Sequence, residues 1–222
     1  MPKLMPTTSE EKVLCALRKG ILSGKFPVGE FLSQRKLAEE TDSSVISVRS
    51  ALRQLENEGL IENIPRWGVR IPKETCETIQ DRYLIREVLE TFAVEQVCQK
   101  LSPQQTKHLS DRADRLELLI ENADAKTTAE FAHIHHEFHL YIAQCSNSPL
   151  LEKLLQRVIN ASFMLLNARS TWVNLSVKGI SHRELAEVII NGPVRDAVNA
   201  MRSHVHTGLH HELESLDGPP TS

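Results

Sequence analysis

Between residues 9 and 23, SEEKVLCALRKGILS, the chain places apolar residues at 13, 14, 17, 21 and 22. That is the spacing of one helical face. Ser9 with Glu10 and Glu11 reads as the helix start, and Gly24 as its end. KFPVGEFL follows as a loop punctuated by Pro and Gly. A short helix, SQRKLAEETD, is capped by Ser33, and a turn at TDSS leads into SVISVRSALRQLENEG. There Val48, Ala51, Leu52 and Leu55 form a buried stripe, and Gly59 supplies the stop. Two short apolar runs, LIENI and VRIP, then flank a PRWG turn and predict a β-hairpin. Two short helices across a tight turn, the second carrying Arg49 and Arg53, followed by a hairpin, predict a winged helix-turn-helix over residues 1–73.

From about residue 76 the pattern changes to helical periods alone. The candidate helices are ETIQDRYLIREVLETFAVEQVCQKL, SPQQTKHLSDRADRLELLIEN, TTAEFAHIHHEFHLYIAQCS, SPLLEKLLQRVINASFMLLNARS, SHRELAEVIING and GPVRDAVNAMRSHVHTGLHHELESL. Several open on Ser-Pro, Ser or Gly-Pro, apt chemistry for a first turn. The fold class expected is therefore mainly α: the N-terminal winged helix-turn-helix plus a C-terminal all-α bundle of six or seven helices over 78–214. A short linker at about 72–77 joins them, and 215–222 is expected to be a disordered tail.

Composition adds limits. The chain has 222 residues, 41% hydrophobic and 25% charged, with only 5% aromatic, ordinary for a globular protein that leans helical. No apolar run approaches the ~20 residues that cross a bilayer, and MPKLMPTTSEEK lacks the apolar core of a secretory signal. A cytoplasmic protein with no membrane partner is expected. Cys15, Cys76, Cys98 and Cys145 are scattered with no CxxC pair, so reduced, partly buried thiols are expected. The net charge of -3 hides an asymmetry. Residues 1–73 carry twelve Lys/Arg against nine Asp/Glu (+3), and the remainder fourteen against twenty (-6). A basic N-terminal third suggests a polyanion-binding module on an acidic body.

Four of the ten histidines fall within HIHHEFH, residues 133–139. At ~100° per residue, Phe131, Ile134, Phe138 and Ile142 define the apolar centre of that helix. His135 lies at the stripe's edge and His139 one turn further on the same side. His133 and His136 point away and are expected at the surface. The 135/139 pair, at i and i+4, suits two ligands to one metal. His182 precedes the apolar face of Leu185, Ala186 and Ile189, and His204 shares a face with Val194, Ala197, Val198, Met201 and Val205. His206, His210 and His211 cluster toward an exposed side, and His108 is isolated. Four inward imidazoles from three elements point to metal binding. Hydrogen-bonded core histidines remain the alternative at this level.

The stretch ILSGKFPVGEFLSQRKLAEETDSSVISVRSALRQLENEGLIENIPRWGVRIP resembles the GntR family of regulators from end to end. It keeps the PxG before the second helix, the LAE, the VRxAL of the recognition helix, the L-x-x-EGL and the RxG of the wing. The resemblance implies that Arg35, Ser44, Ser47 and Arg49 approach double-stranded DNA and that Arg66, Trp67 and Gly68 form the wing tip. Val45 stands where the family often has arginine and Ser47 where it often has proline. Loss of that guanine reader leaves Val45 or Ile46 to touch a thymine methyl. For Arg49 and Arg53 the alternative is a solvated helix face.

The rest resembles the effector domain of the FadR subfamily, the FCD domain. RYLIREVLE resembles its opening helix, EFHLYIAQCSNSPLL its FH…N…L segment, and SHRELAEVIINGPVRDAVNAMRSHV its ending. Many members hold a divalent metal with one Asp and three His. By position the histidines are His139, His182 and His204, and His135 occupies the aspartate position. With imidazole in place of carboxylate, the metal implied is Zn²⁺ or Ni²⁺, with Co²⁺ also favoured over harder ions. The resemblance also implies a small carboxylate effector near Arg86, with Asn147 as a second contact, in a homodimeric repressor. Arg86 could instead pair with Glu90 at the surface, and Asn147 could cap a helix. A regulator that senses the metal itself is the alternative function. A metalloenzyme is disfavoured, because Glu137 faces away from the histidine pair and no HExxH base is present.

Overall fold

The computed structural model describes residues 9–22, 25–26, 28–73, 75–122, 127–159 and 179–216. The chain divides into two compact units, residues 1–73 and 74–222.

In the first unit, helix α1 (Ser9–Leu22) buries Val13, Leu17 and Ile21. It packs on α3 (Val45–Asn57), which follows α2 (Gln34–Glu40) across the turn. Arg18 of α1 donates from Nη2 to both carboxylate oxygens of Glu58 at 2.6 and 2.9 Å, tying the helix to the end of α3. Ser33 caps α2, and Ser44 caps α3 by accepting from the Ser47 amide at 3.0 Å. Gly59, at φ +73°, ends α3. Its amide donates to Glu56 and that of Leu60 to Leu55, the paired bonds of a Schellman stop that needs a left-handed residue. Strands β2 (Glu62–Ile64) and β3 (Gly68–Arg70) form the expected hairpin. A third strand, β1 (Phe31–Leu32), pairs antiparallel with β3, giving the order β1-β3-β2. The sequence pattern predicts a loop there. Two residues on a sheet edge are too few to show a period of two, so only tertiary pairing reveals the strand.

The second unit is helical throughout its described residues. It comprises α4 (Cys76–Val97), α5 (Pro103–Glu121), α6 (Thr127–Cys145), α7 (Pro149–Val158), α8 (His182–Asn191) and α9 (Val194–Leu216). Caps fall where the sequence put them: Ser102 and Ser148 each precede a Pro at the first helical position, and Ser181 caps α8. Helix α9 lies along α4, α6 packs against α4, α5 and α7, and α8 packs against α5 and α9. Phe131, Ile134, Phe138 and Ile142 of α6 enter one core with Ile79, Val94, Leu109, Leu116, Leu155, Ile189 and Met201.

Helix α7 stops at Val158, and residues 160–178, which include the rest of the helix expected to reach 170, lie outside the described residues. The last helix reaches Leu216, two residues into the expected tail, and 217–222 lie outside the description. No described helix is long and apolar enough to cross a membrane. The four cysteines are free, Cys15 and Cys76 exposed, Cys145 half-buried and Cys98 buried.

Candidate functional site

The four histidines singled out in the sequence converge. One ligating nitrogen from each of His135, His139, His182 and His204 lies within 4.8 Å of the other three. Their ring centroids are 4.5 Å apart for His135–His139, 4.7 Å for His182–His204 and 5.0 Å for His135–His182. Helix α6 supplies two by i,i+4 spacing, α8 one at its first residue, and α9 one. Phe131 stacks on His135 at 5.5 Å, and Phe138 meets His182 edge-on at 5.4 Å, so aromatic rings wall the cluster.

Three of the four rings have an acceptor at Nδ1. His139 Nδ1 contacts Glu90 Oε2 from α4. His182 Nδ1 lies 3.3 Å from Glu117 Oε1 of α5. The same Glu117 oxygen accepts the His182 backbone amide at 2.9 Å, one of the unpaired donors at the start of α8. His204 Nδ1 faces the Ile180 carbonyl at 3.4 Å. The His135 and His139 Nε2 atoms are 3.2 Å apart, while His182 Nε2 is buried with no hydrogen-bond partner among the described residues.

These residues fit a divalent ion. Metal–nitrogen bonds of ~2.0–2.1 Å put two tetrahedral ligands about 3.3 Å apart, close to the His135–His139 separation. The 4.8 Å outer span asks for a small closure of the other rings. Burial lowers the pKa of His135 and His204 well below the ordinary imidazole value, and neighbouring histidines push the same way. Burial also lowers His182, with Glu117 opposing it. His135, His182 and His204 are therefore held in the neutral form, the one that ligates.

Arg86 is 2% exposed, and its Nε donates to Glu90 Oε1 at 2.8 Å. The pairing with Glu90 considered from the sequence exists, but it is buried. The guanidinium also sits 4.6 Å over the Tyr83 ring. Burial alone would raise the Glu90 carboxyl, but His139 and Arg86 outweigh it and hold it at about 2. Asn147 is exposed, with φ +53° just past the end of α6. That left-handed conformation gives it a helix-ending role, and it lies about 12 Å of helix beyond His139.

One expectation fails. His136 is 9% exposed, not at the surface. It hydrogen-bonds the Ile159 carbonyl, and burial with neighbouring His139, His133 and Arg86 lowers it to about 4. The second packing surface comes from the end of α7, which the α6 pattern alone does not contain. His133 is exposed, as expected, 3.5 Å from Glu137. Glu117 has no place in the sequence reading, and Glu90 enters it only as a surface partner for Arg86. Glu90 had a signal: Ile79, Tyr83, Arg86, Glu90, Ala93 and Val97 share one helical stripe, so two charges stand at core positions.

In the first unit, Arg35, Ser44, Arg49, Arg66 and Trp67 are exposed and Ser47 and Gly68 half-buried. Ser44 and Ser47 bond each other at 2.9 Å, and Arg49 Nε reaches Gln34 at 3.4 Å. Ile46 is 76% exposed at the first turn of α3, on the face of Arg49, Ser50 and Arg53. At the wing, Pro65 precedes Arg66 at φ +72°, and the Trp67 amide bonds Ile64 at 3.0 Å, the pattern of a type II turn. Trp67, 71% exposed, stacks on Phe31 at 5.8 Å.

Residues 9–71 match the family profile of bacterial regulatory proteins, gntR family, and residues 81–207 match the FCD domain. The chain belongs to the GntR family. It carries an FCD domain, its relatives are transcriptional regulators, and regulators of this family are not enzymes. It is 30% identical to the HTH-type transcriptional regulator YdhC of Bacillus subtilis (strain 168), over 64% of this chain and 62% of that protein. Against a gluconate operon transcriptional repressor of Bacillus licheniformis it is 30% identical, over 72% of this chain and 65% of the relative. The matches thus span less than two thirds of either relative. The E. coli McbR/YncC structure superposes with a TM-score of 0.71 at 18% identity, covering 95% of this chain and 99% of that one. The GntR-family fold is shared along nearly the whole chain.

Acid should unfold the metal-free protein through its histidines. An unfolded imidazole binds a proton below about 6.5, whereas folded His136 resists until about 4. Stability present above pH 6.5 is therefore lost as pH falls through that window. His136 alone accounts for about 2 kcal/mol by pH 5, and His135, His182 and His204 act in the same direction. Denaturant midpoints of chelator-treated protein at pH 7.5 and 5 check this; equal midpoints would contradict it.

Proposed function

We propose that this regulator holds a divalent cation, Zn²⁺ or Ni²⁺ by ligand type, through His135, His139, His182 and His204. The cation and Arg86 together would receive a small carboxylate effector that controls operator binding. The observation that carries the reading is the convergence of four imidazoles, three with Nδ1 against an acceptor, on one ion-sized space. A nitrogen-only ligand set favours Zn²⁺, Ni²⁺ or Co²⁺ over oxygen-loving ions. When bound, the cation supplies a positive charge for the effector carboxylate. Arg86 is already committed to Glu90 through Nε, so an effector would meet the remaining edge of its guanidinium. Asn147 has weaker support as an effector contact, because its helix-ending geometry accounts for it.

Elemental analysis of the purified full chain should find about one Zn or Ni per chain, and His139→Ala or His182→Ala should remove it. Metal content unchanged in both variants would refute the centre. With metal bound, loss of operator affinity on adding small carboxylic acids supports effector control. A response to Zn²⁺ or Ni²⁺ alone would favour the metal as the signal.

The DNA interface proposed is the exposed face of α3 with Arg35, Ser44, Ser47 and Arg49, and the wing of Arg66, Trp67 and Gly68. Ser44 also serves as the α3 cap, so its hydroxyl has a structural use already. An isoleucine 76% exposed among arginines is costly on a free surface and useful against a thymine methyl. In a salt-titrated gel shift on a selected operator, log affinity should fall steeply with log salt. Arg49→Ala should weaken binding about 5–100-fold, corresponding to ~1–3 kcal/mol. Sequence-indifferent binding that survives Arg49→Ala would count against this interface.

A homodimer binding a two-fold operator is part of the same reading. Helix α4 exposes Leu84, Ile85, Val88 and Phe92, and α7, packed on α4, exposes Leu150 and Leu154. Acidic Asp81 and Glu95 flank the first set, and basic Lys153 and Arg157 the second. A second copy related by a two-fold axis can set α4 on α7 with opposite charges facing. Val88, 64% exposed, makes no core contribution to lose. Val88→Asp should therefore shift the sedimenting species from dimer to monomer with helix content unchanged. A dimer that persists would move the interface elsewhere.

A further inference from the structure

His139 and His182 each rest on a carboxylate delivered by a different helix. Glu90 of α4 is 1% exposed and touches His139 Nδ1, and Glu117 of α5 lies 3.3 Å from His182 Nδ1. An ionised carboxylate only accepts hydrogen bonds, so each contact is made well only when Nδ1 carries the ring proton. The Nε2 lone pair is then free to face the cluster. The Ile180 carbonyl imposes the same tautomer on His204. His135 Nδ1 and His139 Nδ1 are both buried without a hydrogen bond of good geometry among the described residues, but His139 Nδ1 has the Glu90 carboxylate in ion-pair contact.

The charges follow a related pattern. Four imidazole ligands bring no negative charge to a divalent cation. Glu90 and Glu117 place two, each one imidazole removed from the ligating nitrogens. The Glu90 charge is shared with Arg86 through the 2.8 Å bond from Nε.

We infer that Glu90 and Glu117 are positioning residues for the four-histidine centre. They fix the Nδ1–H tautomers of His139 and His182, and they supply from behind the rings the negative charge that no direct ligand provides. This rests on the metal reading proposed above. Carboxylates behind ligating histidines raise ring basicity and hold ring orientation, and their loss costs about 10–100-fold in metal affinity. Glu117 has a structural duty as well, holding the first amide of α8, so the test needs readouts that this duty does not move.

The experiment uses the full chain with Glu117→Gln, Glu117→Leu and Glu90→Gln. Gln keeps an acceptor and removes the charge; Leu removes both. Zn²⁺ affinity by chelator competition should fall about 10-fold or more in each. The visible ligand-field spectrum of the Co²⁺-loaded protein should shift. In metal-free protein, side-chain ¹⁵N spectra should show Nδ1–H for His139 and His182 in the wild type, and mixed tautomers for His182 in Glu117→Leu. Glu90→Gln strips Arg86 of its counter-charge and can fail to fold. The two Glu117 variants then carry the test, with melting temperature in chelator as the folding control. Wild-type Zn²⁺ affinity and Co²⁺ spectrum in both Glu117 variants would overturn the inference while leaving the metal centre standing. A wild type that binds no metal, or binds it regardless of His139→Ala and His182→Ala, would overturn the metal reading instead. The tautomer spectra would still decide what the carboxylates do to the rings.

Discussion

A carboxylate 1% exposed to water fixes the helical unit: Glu90, held between Arg86 Nε and His139 Nδ1. Removing an ion from water costs several kcal/mol even after relaxation, and only close partners on both sides recover it. Rotating α4 by one residue would carry Glu90 off His139 by ~100° and strand a buried charge. The register of α4 against α6 is therefore set by this contact as much as by the apolar core. Arg86 gains a second support from the face of Tyr83, and Tyr83 in turn packs against Gly208 of α9, where a Cβ would come within 3.2 Å of the ring. A chain of contacts thus runs from the His cluster through α4 to α9, the helix that carries His204.

The two units use local strain and local chemistry differently. In the winged unit the proposed DNA-facing surface is shaped by backbone devices: a serine cap at the start of α3, a Schellman stop at its end, and a left-handed arginine at the wing turn. A non-glycine residue in that conformation costs roughly 1–2 kcal/mol. The turn is braced by Phe31, whose ring stacks on Trp67 while β1 pairs with β3. In the helical unit the backbone is regular, and the candidate site is built from side chains that would be costly to bury singly. Neutral imidazoles lower that cost, because desolvation penalises only the charged form.

Much of this was legible from the residues because helical periodicity is local. The i,i+4 spacing of His135 and His139 puts both on one flank of α6 without knowledge of any other helix, and Gly59 marks the α3 stop in the same way. His136 was misplaced for the complementary reason. Opposite the main stripe it points away from one core, and only the end of α7, arriving by tertiary packing, covers it. Glu117 was invisible because its role depends on α8 docking its first amide onto α5, a contact between residues 65 apart. Glu90 was readable in principle. Arg86 and Glu90 interrupt an otherwise apolar stripe from Ile79 to Val97, and paired charges at core spacing signal a buried ion pair.

Helix α4 also explains why apolar residues surround nearly its whole circumference. Ile79, Ala93, Val94 and Val97 face inward with Arg86 and Glu90, while Leu84, Ile85, Val88 and Phe92 face solvent. A surface helix that served only its own core would carry polar residues on that outer side. The two faces are one helix diameter apart, ~10 Å, and joined by a rigid element with no proline or glycine within its span. A displacement of the α4 backbone at Arg86 or Glu90 carries the outer face with it, and coupling between distant sites needs such an element, with an equilibrium that both ends can bias. The buried ion pair and the exposed apolar stripe are in this sense a single mechanical unit, and α4 is where occupancy of the histidine cluster and association of the regulator would meet.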